Sequence, residues 1–176
     1  TLASCACHPA THSIDPDTAD WTAGDYYVVG GSGRVVSNRA ISITAALRRR
    51  GLSIRISASD DVDRALAAAV NADMVLACGG GKTWENEDRP TLRLDQHALL
   101  AGLSHARSSG QLQKPLAVAV LAPGQVAVSP WHQGADAVLA MFLAGQATGE
   151  AWADVLLGRI NPSGKLPVTF PLNEDD

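Results

Sequence analysis

The sequence has few cysteines, few aromatic residues and no large excess of either charge. Its three cysteines, Cys5, Cys7 and Cys78, are too few among 176 residues for a disulfide framework. A net charge of −4 argues against nucleic acid or an anionic membrane as a partner. No apolar run reaches the roughly 18 residues that a membrane-spanning helix needs. These absences exclude disulfide scaffolds, nucleic-acid-binding proteins and membrane-spanning proteins.

Ligands for a metal or a cofactor are also scarce. Cys5 and Cys7 lie close to His8 and His12, but no second pair of ligands follows at the spacing of a structural zinc site. We therefore expect Cys5 and Cys7 to be small buried residues on a first strand. The sequence indicates neither a metal nor a cofactor.

What the sequence does contain is an alternation of apolar runs and amphipathic segments. Hydrophobic residues make up 46% of the chain, enough for the core of one domain spanning residues 1–176. The predicted strands are 2–7, 53–57, 73–78, 115–121 and 136–142. The predicted helices are 40–50, 62–70, 94–108 and 147–157, with Asp60 and Asp61 as N-cap candidates for the second. The pattern predicts an α/β three-layer sandwich, a mostly parallel sheet of about five or six strands with helices on both faces.

In such a sheet the functional surface lies at the carboxyl ends of the strands. Two glycine clusters lie in loops of this chain, Gly30-Gly31-Ser32-Gly33-Arg34 and Gly79-Gly80-Gly81-Lys82-Thr83. Neither has the spacing of a dinucleotide fingerprint or of a phosphate loop. The first cluster is better interpreted as a tight loop that packs against a neighbouring domain or a neutral ligand. A nucleotide-binding domain remains an alternative.

The loop after the central strand 73–78 is the candidate for catalytic chemistry, and a solvated acidic loop is the alternative interpretation. It holds Trp84, Glu85, Glu87, Asp88 and Arg89 within six residues. Glycoside hydrolysis needs one carboxylic acid to protonate the departing oxygen and a second carboxylate to act on the opposite face of the sugar. The acid requires a raised pKa, which burial or crowding by like charges supplies. Glu85 lies beside Trp84 and close to the acids Glu87 and Asp88, which are the surroundings that raise the pKa of a carboxyl group. The indole ring of Trp84 is also suited to stacking on a sugar ring.

The chain also resembles a known protein family. Residues 85–94, Glu-Asn-Glu-Asp-Arg-Pro-Thr-Leu-Arg-Leu, resemble the Glu-Gly-x-Asp-Arg-x-x-Leu-x-Leu segment in the carboxyl-terminal α/β domain of family 3 glycoside hydrolases. Residues 144–149 are similar to the family's Pro-Gly-Gln-x-Gly-Gly turn, and residues 153–171 are nearly its consensus. The glycine cluster at 30–35 falls where the family has a glycine-rich loop.

The resemblance implies a retaining β-glycosidase of the β-glucosidase type, acting on a β-linked oligosaccharide or glycoside. It places the general acid/base at Glu85, with Glu87 as the second choice and Trp84 as a substrate-binding residue. Asp88 and Arg89 would fix the loop. Asn86 stands where the family has glycine, so the backbone there is either less free or requires a left-handed Asn, which is tolerated. The resemblance also favours a secreted or periplasmic location.

The resemblance further implies a separate (β/α)8 barrel that carries the aspartate nucleophile. Such a barrel needs about 250 residues, so we expect the nucleophile to lie outside this chain and the isolated chain to be inactive. A non-catalytic carbohydrate-binding or interaction module on the same scaffold is the alternative.

Overall fold

A computed structural model of the chain describes residues 2–3, 7, 24–35, 37 and 39–176. Its strands are β1 (Leu2–Ala3), β2 (Ile56–Ser57), β3 (Val75–Gly80), β4 (Leu116–Leu121) and β5 (Ala137–Met141). Its α-helices are α1 (Ile43–Arg49), α2 (Val62–Ala69), α3 (His97–Ser108) and α4 (Thr148–Leu156), with 3-10 turns at Trp131–Gly134 and Gly145–Ala147. The five strands form one sheet in the order β2-β1-β3-β4-β5, and every pairing is parallel.

Both faces of the sheet are covered by helices. Successive side chains of β3 and β4 point to opposite sides of the sheet, so each strand contributes to two cores. Val75 and Ala77 contribute to a core that includes buried residues of α2 and α3. Leu76 and Cys78 contribute to a second core with buried residues of α1 and α4. The predicted α/β three-layer sandwich with a parallel sheet is thus confirmed, at the lower of the two expected strand counts.

Helices α1 and α2 begin where short polar side chains accept hydrogen bonds from their first N–H groups. The Asp61 carboxylate accepts a hydrogen bond from Arg64 N–H at 2.8 Å, which confirms Asp61 as the N-cap of α2. The Ser42 hydroxyl accepts one from Ala45 N–H at 3.0 Å at the start of α1. Arg50, at the end of α1, forms ion pairs with Glu150 and Asp154 of α4 and so joins the two helices on one face.

Two expectations about cysteines and glycines are corrected. Cys7 and Cys78 form a disulfide, so Cys7 is not simply a small residue on a strand; Cys5 lies outside the described residues. Gly79 and Gly80 belong to β3 and are buried, so these two glycines do not lie in a loop. Their lack of side chains leaves room for neighbours, since a Cβ on Gly80 would lie 2.1 Å from the ring of Tyr26.

The last part of the chain returns to the sheet after an exposed stretch. Residues 158–169 are exposed. Phe170 then packs edge-on to Phe142 at 6.5 Å, and the carbonyls of Pro171 and Leu172 accept hydrogen bonds from Val128 and Ser129. The end of this segment therefore packs against the loop after β4 and the residue that follows β5. Within the described ranges, no helix is both long and apolar enough to span a bilayer.

Candidate active site

A tight turn at the carboxyl end of the central strand β3 presents the predicted acid. Trp84 and Glu87 form an antiparallel bridge, and Glu85 and Asn86 occupy the two positions between them. Asn86 has φ 67°, the left-handed conformation, which was one of the two possibilities for the residue that replaces glycine here. We call residues 84–87 the acid turn. Its geometry places the Glu85 side chain in solvent.

The Glu85 carboxylate is bound by a residue 53 positions earlier in the chain. Its Oε2 accepts hydrogen bonds from the Ser32 hydroxyl at 2.6 Å and from the Ser32 backbone N–H at 2.8 Å. Gly31, next to Ser32, has φ +85°, and a Cβ there would lie 2.4 Å from the Glu85 Cβ. The glycine cluster therefore packs directly against the predicted acid, within one chain.

The Ser32 hydroxyl, followed by its backbone N–H, lowers the pKa of Glu85, because both groups donate to the charged form. The expected raised pKa is therefore wrong for this arrangement. Desolvation acts in the opposite direction, but the side chain is exposed and the effect is smaller. The neighbouring acids Glu87 and Asp88 do not reverse the direction.

The segment that carries Ser32, residues 24–34, is attached to the exit of β3. We call this segment the glycine loop. Gly30 N–H donates to the Thr83 carbonyl at 3.0 Å. The Tyr26 ring lies against Gly80 and below the Lys82 ammonium, which is 5.1 Å from the ring centroid. The Tyr26 hydroxyl donates to Asp95 Oδ2 at 2.9 Å. The glycine loop is therefore attached both to the exit of β3 and to Asp95.

Trp84 and Glu87 interact with each other on the acid turn. The Trp84 indole N–H donates to Glu87 Oε2 at 2.8 Å. Trp84 is half-buried, while Glu87 is exposed. This hydrogen bond closes the turn and gives the second-choice acid, Glu87, a structural role. It leaves the face of the indole ring, rather than its N–H group, as the part of Trp84 that suits a sugar.

Arg89 supports the base of the acid turn. Its guanidinium donates to the carbonyl of Gln125 at 3.2 Å and to that of Arg93 at 3.4 Å, and it lies against Gly81. Asp88, in contrast, is exposed. Of the pair that was expected to fix the loop, Arg89 therefore makes the contacts, and it ties the segment to the loop after β4.

The glycine clusters are poorly suited to binding phosphate. The backbone N–H groups of Gly30, Ser32 and Gly81 already donate to Thr83, Glu85 and Leu121. Gly80 N–H donates to the Gln96 side chain at 2.9 Å. A phosphate would have to replace these acceptors, which argues against the nucleotide-binding alternative.

No cluster of three or more metal-binding side chains is found among the residues that the structure describes. Cys5, His8 and His12 are outside them. A cavity of about 450 Å³ lies at the opposite, amino-terminal edge of the sheet, between the segments before β2 and β3 and the ends of α1 and α4. Glu85 is therefore on an open surface, remote from that cavity.

Sequence reasoning located the acid turn but missed Ser32. The glycine cluster and the acidic loop were both recognisable as motifs, and both were expected near the carboxyl ends of strands. Their contact, however, joins residues 53 positions apart. The only sign of this contact in the sequence was the hydroxyl group of the residue between Gly31 and Gly33, and the sequence does not show which group that hydroxyl contacts.

Comparison with known proteins identifies the family. Residues 13–176 match the Glycosyl hydrolase family 3 C-terminal domain. The chain is 35% identical over 131 residues to a probable β-glucosidase I of Emericella nidulans. The matched residues make up 73% of this chain and 15% of that protein. It is 33% identical over 166 residues to an exo-α-(1→6)-L-arabinopyranosidase of Bifidobacterium longum, covering 85% of this chain and 21% of that protein. The chain thus spans about a fifth or less of these relatives.

Solved structures share the fold. The β-D-glucoside glucohydrolase of Trichoderma reesei superimposes with a TM-score of 0.81 at 23% identity, over 99% of this chain and 26% of that one. The β-glucosidase 3B of Thermotoga neapolitana in complex with glucose gives a TM-score of 0.69 at 25% identity, over 98% and 27%.

Proposed function

Since the chain belongs to glycosyl hydrolase family 3, as its carboxyl-terminal domain, we propose that it supplies Glu85 as the general acid/base of a retaining β-glycosidase. The observation that carries this proposal is the position of Glu85, exposed on a tight turn at the carboxyl end of the central strand. A carboxyl group in that place can reach a sugar bound above the sheet edge. The remainder of the site, including the nucleophile, would belong to a (β/α)8 barrel outside these residues.

The reaction that we propose has two halves. In the first, the carboxylate of the barrel attacks the anomeric carbon, the glycosidic C–O bond breaks, and protonated Glu85 gives its proton to the departing oxygen. In the second, Glu85 takes a proton from water while the water oxygen attacks the same carbon and releases the barrel carboxylate. Trp84 would present its ring face to a sugar. Glu87 is the second choice for the acid.

The open position of Glu85 supports a site shared with another domain. The side chain is exposed and lies outside the cavity at the opposite edge of the sheet. A glycosidase must surround its substrate to orient it. The small share of the curated relatives that the chain covers is also in keeping with a larger enzyme. The relatives' names include a β-glucosidase and an α-L-arabinopyranosidase, so we propose the reaction class and leave the sugar open.

One observation favours a second candidate, a non-catalytic carbohydrate-binding module. The hydrogen bonds from Ser32 lower the pKa of Glu85, so the group is a carboxylate near neutral pH in this chain. An ionised carboxylate beside an indole can accept hydrogen bonds from sugar hydroxyls without transferring a proton.

Replacement of Glu85 tests the acid/base role in the complete enzyme, the chain together with its barrel. Glu85→Gln should lower kcat/KM by about 10²- to 10⁴-fold on substrates with poor leaving groups, the range typical of general acid catalysis. Activated aryl glycosides, whose leaving groups need no proton, should be cleaved with little loss in the first half-reaction. Azide should accelerate the variant, because an anion needs no general base to attack.

The matched control is Glu87→Gln, which lies two residues away on the same turn. We expect it to act on all substrates alike, since it removes a carboxyl group from the turn while the glutamine side-chain oxygen can still accept the hydrogen bond from Trp84. An equal loss on activated and unactivated substrates in Glu85→Gln, with weaker sugar binding, would instead support the carbohydrate-binding module. A selective loss in Glu87→Gln would transfer the acid role to that residue.

A further inference from the structure

Ser32 is exposed, yet both of its hydrogen-bond donors point to a single oxygen atom. Its hydroxyl lies 2.6 Å and its backbone nitrogen 2.8 Å from Glu85 Oε2. Two donors on one carboxylate oxygen restrict both the position and the rotation of the carboxyl group. Among the described residues, none donates to the other oxygen, Oε1, which leaves that atom free to face a ligand.

Ser32 itself is held in place by the packing of the two loops. Arg34 N–H donates to the Gly31 carbonyl at 3.0 Å and closes a turn around Ser32. Gly31 has φ +85° and lies so close to Glu85 that a side chain would collide with it. Gly30 N–H donates to Thr83, two residues before Glu85. The glycine loop and the acid turn therefore form one unit, with Ser32 at the contact.

We propose that Ser32 is the positioning residue of the acid/base glutamate: it holds Glu85 Oε2 and leaves Oε1 to exchange the proton with the glycosidic oxygen and with water. This inference rests on the proposed function of Glu85. Ser32 does not itself touch the reacting atoms. It acts through Glu85, by orienting the carboxyl group and by stabilising its charged form.

The stabilisation of the charged form has a kinetic consequence. Glu85 becomes a carboxylate when it protonates the leaving group, and donors to that carboxylate make the group a stronger acid. Removal of the Ser32 hydroxyl, the larger cause of the lowered pKa of Glu85, should raise that pKa. At a pH where Glu85 is protonated in both proteins, the variant would be a weaker acid, less well oriented, and slowest on the leaving groups that most need a proton.

Titration of Glu85 in the chain itself tests the contact without any activity. The carboxyl ¹³C signal of Glu85 would be followed against pH in the wild type, Ser32→Ala, Ser32→Thr and the control Ser53→Ala, an exposed serine before β2. Glu85→Gln assigns the signal. We expect a midpoint at higher pH in Ser32→Ala, and midpoints close to the wild type in Ser32→Thr, which keeps a hydroxyl, and in Ser53→Ala. An unchanged midpoint in Ser32→Ala would overturn the proposal.

Kinetics of the complete enzyme test the positioning role. In Ser32→Ala the basic limb of kcat/KM should move to higher pH, and kcat should fall more on poor leaving groups than on activated aryl glycosides. Ser32→Thr should restore both. An unmoved basic limb, or equal losses on both substrate classes, would overturn the proposal. Failure of the proposed function would appear separately, as an unselective effect of Glu85→Gln, and would leave the titration result standing.

Discussion

At the scale of single residues, hydrogen-bond donors decide the charge of a carboxylate more than neighbouring acids do. Glu85 has two acids within three positions, yet its pKa is lowered, because Ser32 donates to it directly. Like charges on an exposed turn are screened by water, whereas a direct hydrogen bond acts at contact distance. The correction to the expected pKa follows from this difference.

The same principle makes Asp136 a contributor to stability. Its carboxylate accepts hydrogen bonds from the Arg107 guanidinium at 2.8 and 2.9 Å and from Leu116 N–H at 2.7 Å, at the start of β4. Arg107, followed by the Leu116 N–H, lowers the pKa of Asp136 from 3.8 to about 2. Because the folded state binds the proton less tightly than the unfolded state, the stabilisation is complete above about pH 4 and is lost as the pH falls towards 2.

We therefore expect Asp136→Asn to lower the free energy of unfolding by about 1 kcal/mol at pH 7. A fully buried group with this shift would contribute about 2 kcal/mol, but the Asp136 side chain is 42% exposed and solvent screens the pair. The difference between variant and wild type should shrink as the pH falls to 2. Urea unfolding at pH 7, 4 and 2 measures it, with the exposed Asp175→Asn as control. A difference independent of pH would contradict this account.

At the scale of elements, the positions of the strands followed from apolar runs, and so did the ends of β4 and β5 to within one residue, but the ends of β2 and β3 did not. β2 covers only Ile56–Ser57 of the predicted 53–57, whereas β3 continues through Gly79 and Gly80. The two glycines pair with Val120 and Leu121 of β4, and their missing side chains admit Tyr26, Leu94 and Leu100. Local propensity disfavours glycine in strands, but pairing and close packing outweigh it at this position.

The disulfide joins the segment after β1 to β3 and should be a major stabilising element. Cys7 and Cys78 are 71 residues apart, so the cross-link restricts a large loop in the unfolded chain. The chain-entropy relation predicts a stabilisation of about 4 kcal/mol for a loop of this size. We expect Cys7→Ala/Cys78→Ala to lower the free energy of unfolding by about that amount, as measured by urea unfolding.

The matched control for the disulfide is Cys5→Ser. It should leave the stability close to that of the wild type and abolish the one thiol that remains reactive when two of the three cysteines are paired. Three reactive thiols in the unfolded, unreduced wild-type chain would contradict the pairing.

At the scale of the whole molecule, the described residues form a core on each face of the sheet, whereas the candidate site is open. The exposed stretch 158–169 includes Ile160, Leu166 and Val168, with exposures of 57%, 53% and 41%. Apolar side chains that one segment leaves exposed are suited to contact with another domain. These features are in keeping with the proposal that the chain functions together with a barrel.

We expect the isolated chain to show no hydrolysis of an aryl β-glucoside above the buffer rate. Glu85 can donate a proton, but the double-displacement route also requires a nucleophilic carboxylate on the opposite face of the sugar. The measurement is release of the aryl alcohol by the purified chain, with the complete enzyme as positive control. Turnover by the chain at enzyme-like rates would contradict the shared site.

The sequence by itself determined the layered α/β fold, the family and the turn that carries the predicted acid. These are local properties: the period of apolar residues, the cap at Asp61, and the contiguous motifs at 85–94 and 153–171. For Asn86 the sequence left two possibilities, a less free backbone or a left-handed residue, and the structure shows the left-handed one.

Only the tertiary structure decided which groups meet. The pairing of Cys7 with Cys78 and the contact of Ser32 with Glu85 join residues 71 and 53 positions apart. Such contacts depend on the parallel sheet, which brings distant loops to one edge, and no pattern within a short segment encodes them. For the same reason the shift in the pKa of Glu85 was predicted in the wrong direction. The sequence neighbours of Glu85 are acids, which would raise the pKa, whereas its neighbour in space is a hydrogen-bond donor, which lowers the pKa.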